Sequence, residues 1–264
     1  MSKTVLSCWC CVLLLSCAKP TDPESLTPSS GGYSVVAKLR TSGYAQDVEV
    51  KDTIAYLVQG EGPLTIVSVA DPANPRILSV CQQGVRGYSY KLALSDTMVY
   101  VASGGFNVNS INVSNPYAPR WVIRAGTRAT LDLEVLGGWL FLAIGESGWQ
   151  VAEIFSLAGY PDVRSTVENP GYAHGMATTT DSCLLVTCGE MGLAIYDLRD
   201  IGRVEGHYPP DMTPYAWIDL PGYAVGVDTM GSRRIAFVAC GTAGVQVVDF
   251  SDTSNVRVIG SYTT

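Results

Sequence analysis

The chain has 264 residues, of which 24 are acidic and 17 are basic, so its formal net charge is −7. A surface of that sign repels phosphate backbones, and because no basic stripe is present the composition argues against nucleic-acid binding. After residue 17 the chain has only two histidines and no Cys-x-x-Cys pair, so we expect neither a metal centre nor another cofactor.

The first residues have the pattern of an export signal. Lys3 precedes an apolar stretch over residues 5–15, which is shorter than the roughly 20 residues that a helix needs to cross a bilayer. Residues 14–17, Leu-Leu-Ser-Cys, resemble the lipobox of bacterial lipoproteins. The resemblance implies cleavage before Cys17, acylation of Cys17 with chains such as palmitate, and anchoring at the bacterial cell envelope, on the outer membrane of a Gram-negative source. A plain secretory signal is the alternative.

We therefore divide the chain into three parts. Residues 1–16 form the lipoprotein signal peptide, and residues 17–32, rich in Pro, Ser, Thr and Gly, form a flexible tether. Residues 33–264 form the folded domain. Its four cysteines permit two disulfides, but Cys188 and Cys240 occupy the same position in successive repeats, so we favour buried free thiols.

One segment occurs five times in the folded part, each time ending in a turn glycine. These glycines are Gly60, Gly104, Gly145, Gly189 and Gly241, with spacings of 44, 41, 44 and 52 residues. A period of about 40 to 45 residues is the size of one four-stranded propeller blade. The sequence therefore predicts an all-β chain, a β-propeller of five four-stranded blades. We expect a closed ring, because each blade has two apolar faces that need a neighbour.

Three motifs carry a resemblance to a known family. Residues 193–197 (LAIYD), 245–249 (VQVVD) and 43–48 (GYAQDV) resemble the LVIVD repeat family of bacterial exported proteins. The resemblance extends over nearly all of residues 43–264, but Ser110 and Trp149 interrupt the pattern in the second and third units. What it implies is a β-propeller, and it carries over no catalytic residues.

The outermost strand of the closing blade has two candidates. Residues 33–40 resemble a fourth strand, although residues 256–262 already supply one. We expect residues 33–40 to pair with the final blade, either as an added edge or by displacing their competitor outward.

Candidate binding residues lie on the first strand of each unit, which lines the channel of a propeller. Asp47, Lys91 and Asp132 share one position, and Tyr90 and His174 each precede it in their own unit. Such side chains could bind a sugar or a cation. The alternative, which we favour, is structural: an aspartate here satisfies backbone donors of a neighbouring blade.

A second candidate site is the insertion over residues 202–217, which lengthens the fourth unit by about eight positions and contains Tyr215 and Trp217. Long loops on rigid scaffolds often carry recognition, but a tolerated surface insertion explains the segment equally well.

We expect a non-catalytic binding or scaffolding module that is attached to the membrane by lipid on Cys17 and takes a protein or glycan ligand. One alternative is a glycan-active enzyme, which would need two suitably spaced carboxyl groups on the inner strands. The candidate carboxyl groups are those of Asp47, Glu49, Asp132, Glu134 and Asp228. A purely structural envelope component is another alternative.

Overall fold

The structure is a computed structural model. It describes residues 34–263 except 86, 106, 156–158, 200, 202–211 and 231–232. The signal peptide, Cys17, the tether and most of the 202–217 insertion therefore lie outside the described residues. Within the described part of the chain, no helix is long and apolar enough to cross a membrane.

The chain divides into two units, Met1–Lys38 and Leu39–Thr264. In the first unit only residues 34–38 are described, and they form neither helix nor strand. All the strands belong to the second unit.

The second unit contains five sheets, which we number as blades 1 to 5. Blade 1 contains β1 (Asp47–Lys51), β2 (Ile54–Val58), β3 (Leu64–Ser68) and β4 (Arg76–Cys81). Blade 2 contains β5 (Lys91–Ser95), β6 (Met98–Ala102), β7 (Val108–Asn112) and β8 (Arg120–Arg124). Blade 3 contains β9 (Asp132–Leu136), β10 (Trp139–Ala143), β11 (Trp149–Phe155) and β12 (Tyr160–Val167). Blade 4 contains β13 (Met176–Thr178), β14 (Cys183–Thr187), β15 (Leu193–Asp197) and β16 (Ala216–Ile218). Blade 5 contains β17 (Gly226–Thr229), β18 (Ile235–Ala239), β19 (Val245–Asp249) and β20 (Arg257–Tyr262).

Each blade is an antiparallel meander in which every strand pairs with the next one along the chain. The turn between the second and third strands explains the repeated glycines. From Gly60 to Gly241 they all have φ between +51° and +68°, in the left-handed region that glycine reaches without strain. The repeats seen in the sequence therefore correspond to real turns, and the prediction of five four-stranded blades is confirmed.

The core lies between the blades. Four apolar clusters fill the junctions of blades 1 and 2, 2 and 3, 3 and 4, and 4 and 5. A bridging backbone pair marks each of these junctions: Gly60 with Ser89, Gly104 with Thr130, Gly145 with Ala173, and Gly189 with Ala224. For the described residues, blades 5 and 1 share neither a buried cluster nor a bridging pair. Closure of the ring is therefore not shown.

The predicted pairing of residues 33–40 with the final blade is wrong for the described residues 34–40, which form no strand. Blade 5 has four strands, and its outer position is occupied by β20, which pairs with β19 along its length. The described residues of this segment are exposed except for the half-buried Ala37, so the segment buries no apolar face that would hold it as a strand.

The four cysteines of the folded part are free and buried, which confirms the expectation of buried thiols. Burial raises the pKa of the Cys188 thiol to about 11, so this thiol stays protonated and unreactive at neutral pH.

Candidate functional site

Three charged residues meet where the innermost strands begin. Asp47, Lys91 and Asp132 are the first residues of β1, β5 and β9. Lys91 Nζ lies 3.7 Å from Asp47 Oδ1 and 4.0 Å from Asp132 Oδ1. The structure thus brings together three of the residues that the sequence singles out. Because the ammonium group is half exposed and the separations are long, these ion pairs contribute little to stability.

Both aspartates also tie neighbouring blades together. Asp47 Oδ2 accepts a hydrogen bond from the backbone N–H of Leu92 in blade 2, at 3.1 Å. Asp132 Oδ2 accepts one from the N–H of Met176 in blade 4, at 2.8 Å. These contacts match the structural interpretation of the aspartates, in which each carboxylate satisfies a backbone donor of the next inner strand.

Two glutamates stand on the same inner strands, two positions further along. Burial, followed by the charges of Asp132 and Glu49, raises the pKa of Glu134 to about 8. Burial, followed by the charge of Asp47, also raises the pKa of Glu49. Glu134 is therefore protonated at neutral pH, which reduces the repulsion among the carboxyl groups of this cluster.

The pKa values of Asp132 and Lys91 depend on each other's charge. Burial raises the pKa of Asp132 to about 6, although the charge of Lys91 opposes the shift. Burial lowers the pKa of Lys91, but the carboxylates of Asp132 and Asp47 outweigh that effect and raise it overall. Lys91 is consequently a permanent cation and hydrogen-bond donor beside several carboxyl acceptors.

Three aspartates of the inner strands accept backbone N–H groups. Asp47 and Asp132 are already engaged by backbone donors, and Asp228 is exposed on β17, where its Oδ1 accepts the N–H of Thr229 at 2.7 Å. Across the described parts of the chain, no group of three or more His, Cys, Asp or Glu side chains is arranged to hold a metal ion.

Tyr90 and His174 lie at the start of the inner strands, beside aromatic rings that the sequence prediction missed. The ring of Tyr90 is 4.9 Å from that of Tyr88, and the ring of His174 is 6.3 Å from that of Tyr172. The missed tyrosines could have been found from a triplet, Gly-Tyr-Ala or Gly-Tyr-Ser, that precedes four of the five inner strands. It occurs at residues 43–45, 87–89, 171–173 and 222–224.

Tyr215 and Trp217 belong to a different place. They lie just before and on β16, the outermost strand of blade 4, whereas the charged cluster lies on innermost strands. Trp217 Nε1 donates to the carbonyl of Met191 at 2.5 Å, and the Tyr215 hydroxyl lies 3.2 Å from Cys183 Sγ. The candidate residues therefore form two separate sites, and ligand binding at either stays a prediction.

A groove of about 520 Å³ lies beside the described end of the insertion. It is lined by Thr166, Glu168, Asn169, Pro170, Met212, Thr213 and Pro214. Its walls offer hydroxyl, amide and carboxylate groups, which are the groups that hydrogen-bond a polar ligand.

With this geometry in place, comparison with known proteins identifies the repeats. The model of the LVIVD repeat matches residues 42–82 and 222–264. The chain carries LVIVD repeats. The matched segments contain blades 1 and 5, so the resemblance expected from the sequence is confirmed. The three middle blades are outside the matched segments, but they have the same strand order and the same turns as the two matched blades. No curated protein matches the chain.

Solved structures show the fold. The WD40 β-propeller domain of Doa1 aligns with a TM-score of 0.63 at 11% identity, covering 88% of this chain and 73% of that one. A chain of the mitotic checkpoint complex aligns with a TM-score of 0.65 at 11% identity, covering 87% and 68%. The computationally designed Ika8 protein gives a TM-score of 0.55 at 7% identity, covering 85% and 76%. At these identities the likeness establishes that the LVIVD repeats form a β-propeller, and no more.

Proposed function

We propose that this chain is a non-catalytic binding or scaffolding module of the bacterial cell envelope, held at the membrane by lipid on Cys17, which presents its propeller to a protein or glycan. The charged cluster of Asp47, Lys91 and Asp132 is the first candidate for the binding site. The rim around Tyr215 and Trp217 is the second.

The observation that carries the proposal is the state of the inner-strand carboxylates. Asp47 and Asp132 accept backbone N–H groups of neighbouring blades, so both carboxylates have a structural role. Lys91, in contrast, has a half-exposed side chain whose ammonium group lies between them. The glycosidase alternative would have to use Glu49 and Glu134, whose pKa values are raised, as its two carboxyl groups. The cation between two structurally engaged aspartates supports recognition of a polar ligand.

The binding proposal is tested by screening the purified full-length protein against a glycan array and an envelope protein extract. The variants are Lys91→Met for the charged cluster and Trp217→Ala for the rim. Lys51→Met is the matched control, because Lys51 is an exposed lysine of β1 that bonds the carbonyl of Asp96. Loss of binding in one variant, with the control unchanged, assigns the site.

Each other outcome rejects part of the proposal. Binding that survives both variants rejects both sites. Release of sugar products from a bound glycan favours the enzyme alternative. A protein that binds nothing, while its loss weakens the envelope, is the purely structural component.

The anchor is tested separately. Cys17→Ala should leave the protein unlabelled by a fatty-acid probe and free of membranes, whereas Cys10→Ala, a change within the signal peptide, should leave both properties intact. Continued lipid labelling of Cys17→Ala contradicts the assignment.

A further inference from the structure

Each formed junction between blades has two halves that recur along the chain. The trailing half belongs to the earlier blade and contains its turn glycine and the apolar side chains of its second and third strands. The leading half belongs to the later blade and contains an aromatic ring and the apolar residue of its inner strand. In the junction of blades 4 and 5, the ring of Tyr223 would contact a Cβ on Gly189 at 2.9 Å, and Ala224 bridges to Gly189.

The same contact recurs in two of the other three junctions. A Cβ on Gly60 or Gly145 would meet the ring of Tyr88 or Tyr172 of the later blade at 2.9 to 3.0 Å, whereas Gly104 faces the ring of Tyr90 of its own blade at 3.1 Å. The inner-strand residues Leu92 and Met176 are each 2% exposed. Three of the four formed junctions thus cover the turn glycine with a ring of the later blade, and two of these three bury the apolar inner-strand residue.

Blade 1 carries a leading half whose aromatic ring and inner-strand valine have no partner blade, although Ala55 and Val67 on the same sheet are buried. Tyr44 is 71% exposed, against 37% for Tyr88 in its formed junction. Val48, at the position of Leu92, is 54% exposed. The equivalent positions are packed in blade 2. The exposure of an aromatic ring and a valine at these positions of blade 1 therefore indicates an unoccupied interface.

Blade 5 carries the matching trailing half, and it too is open. No ring covers Gly241, whose nearest atom is the carbonyl oxygen of Tyr223 at 3.6 Å. Phe237, Val245 and Val247 are partly exposed. Their counterparts in blade 4 are fully buried: Leu185, Leu193 and Ile195.

We propose that these two faces join head to tail between two copies of this chain, with blade 1 of one copy docking on blade 5 of the other. The new junction would continue the four that exist, with the ring of Tyr44 over Gly241 and Ala45 bridging to it. The partner is a second copy because this surface fits a blade of the same repeat.

Closure within one chain is the competing arrangement. Apolar clusters fill the four formed junctions, while Tyr44 and Val48 of blade 1 and Phe237 of blade 5 keep exposed surface. Because the single chain has no bridging pair between blades 5 and 1 among its described residues, a second copy can dock on these faces while the four formed junctions stay as they are. Since head-to-tail contacts use a different face on each side, they produce either a closed assembly or an open chain of copies.

The association is measured first. The full-length chain carrying Cys17→Ala, which avoids micelles, should form dimers or larger species at micromolar concentration in sedimentation or light scattering. Val48→Asp should weaken self-association at least about tenfold, because it buries a charge in the new junction. Val258→Asp is the matched control, since Val258 is a similarly exposed valine on the outer strand β20. Circular dichroism checks that both variants fold.

The arrangement is then fixed by mixing two single variants, Ala45→Cys and Thr242→Cys. Both variants also carry serine in place of Cys8, Cys10 and Cys11, and the cysteines of the described blades are buried, so an oxidised band of twice the chain mass requires docking between copies. A protein that is monomeric at every concentration and gives no such band contradicts the proposal. A cross-link formed only within one chain, in the double variant, overturns it in favour of same-chain closure.

Discussion

Neighbouring inner strands are held together in two different ways. Blades 1 to 3 differ in this respect from blades 4 and 5. At the same position the first group has Asp47, Lys91 and Asp132, and the second has Gly175 and Gly226. In the first group a carboxylate spans the gap and accepts a backbone N–H of a neighbouring blade. In the second the backbones approach directly, so that a Cβ on Gly175 would lie 2.8 Å from the Cα of Gly226.

The aspartates of this cluster therefore stabilise the contacts between blades, whether or not they also bind a ligand. Where a blade carries glycine at this position, no acceptor is needed because the strands are closer together. Lys91 is the member of the first group that cannot accept a hydrogen bond, and the N–H of Leu133 instead bonds Asp132 of its own strand at 2.9 Å. Lys91 is therefore the residue of this set that the backbone does not require, and it is the best candidate for recognition.

The largest expected effect is on the glycine side. Gly175→Val should destabilise the fold by about 3 kcal/mol, because its side chain would overlap the backbone of blade 5. Urea unfolding measures the loss. Gly126→Val is the control, since a Cβ there meets nothing within 4 Å. Equal losses in the two variants would mean that blades 4 and 5 do not touch at this point.

On the carboxylate side, Asp132→Ala should cost about 2 kcal/mol in the free energy of unfolding, because the N–H of Met176 would be left buried without an acceptor. Asp228→Ala, which removes an exposed aspartate from blade 5, should change stability by less than about 0.5 kcal/mol. If Asp132→Ala were equally harmless, the carboxylate would not be a tie between blades 3 and 4, and its position would need a chemical explanation.

The sequence predicted the strands, the turns and the aspartate ties because each depends on local pattern or on one residue's chemistry. It did not place Trp217, since residues 202–217 are predicted to be an inserted loop, whereas Trp217 lies on the strand β16. Nor could it show that Val48 stays exposed, because this exposure depends on the sum of the angles between successive blades.

The two interruptions of the repeat were also beyond the sequence. Ser110 stays fully buried, and Trp149 is buried in the junction of blades 3 and 4, where its ring meets that of Tyr196 edge-on at 5.1 Å between centroids. A residue that breaks an apolar pattern can therefore still occupy the same packing position when its neighbour complements its shape.

A smaller effect should follow pH. The pKa of Glu134 is raised from 4.5 to about 8 in the folded chain, so its ionisation favours unfolding. The penalty is absent below pH 4.5, grows with rising pH and is complete above pH 8. Glu134→Gln should therefore be stabilising by about 1 kcal/mol near pH 9 and close to neutral near pH 4, allowing for partial screening by water.

The measurement is urea unfolding of both proteins at the two pH values. Glu61→Gln, which removes an exposed carboxyl group, controls for the change in net charge. A Glu134→Gln variant whose advantage is the same at both pH values would show that the carboxyl group is not held protonated by the cluster.

The smallest expected effect is at the other member of the glycine pair. Gly226→Ala should change the free energy of unfolding by less than about 0.5 kcal/mol, because the only atom near its added Cβ is the Cβ of Ala239 at 4.0 Å. Gly175 packs against the inner strand of blade 5. Gly226 is the equivalent residue of blade 5, and within the described residues no further inner strand packs against it. Unfolding measured below the concentration at which copies associate isolates this effect. A loss as large as that of Gly175→Val would mean that another inner strand already packs against Gly226 in the single chain.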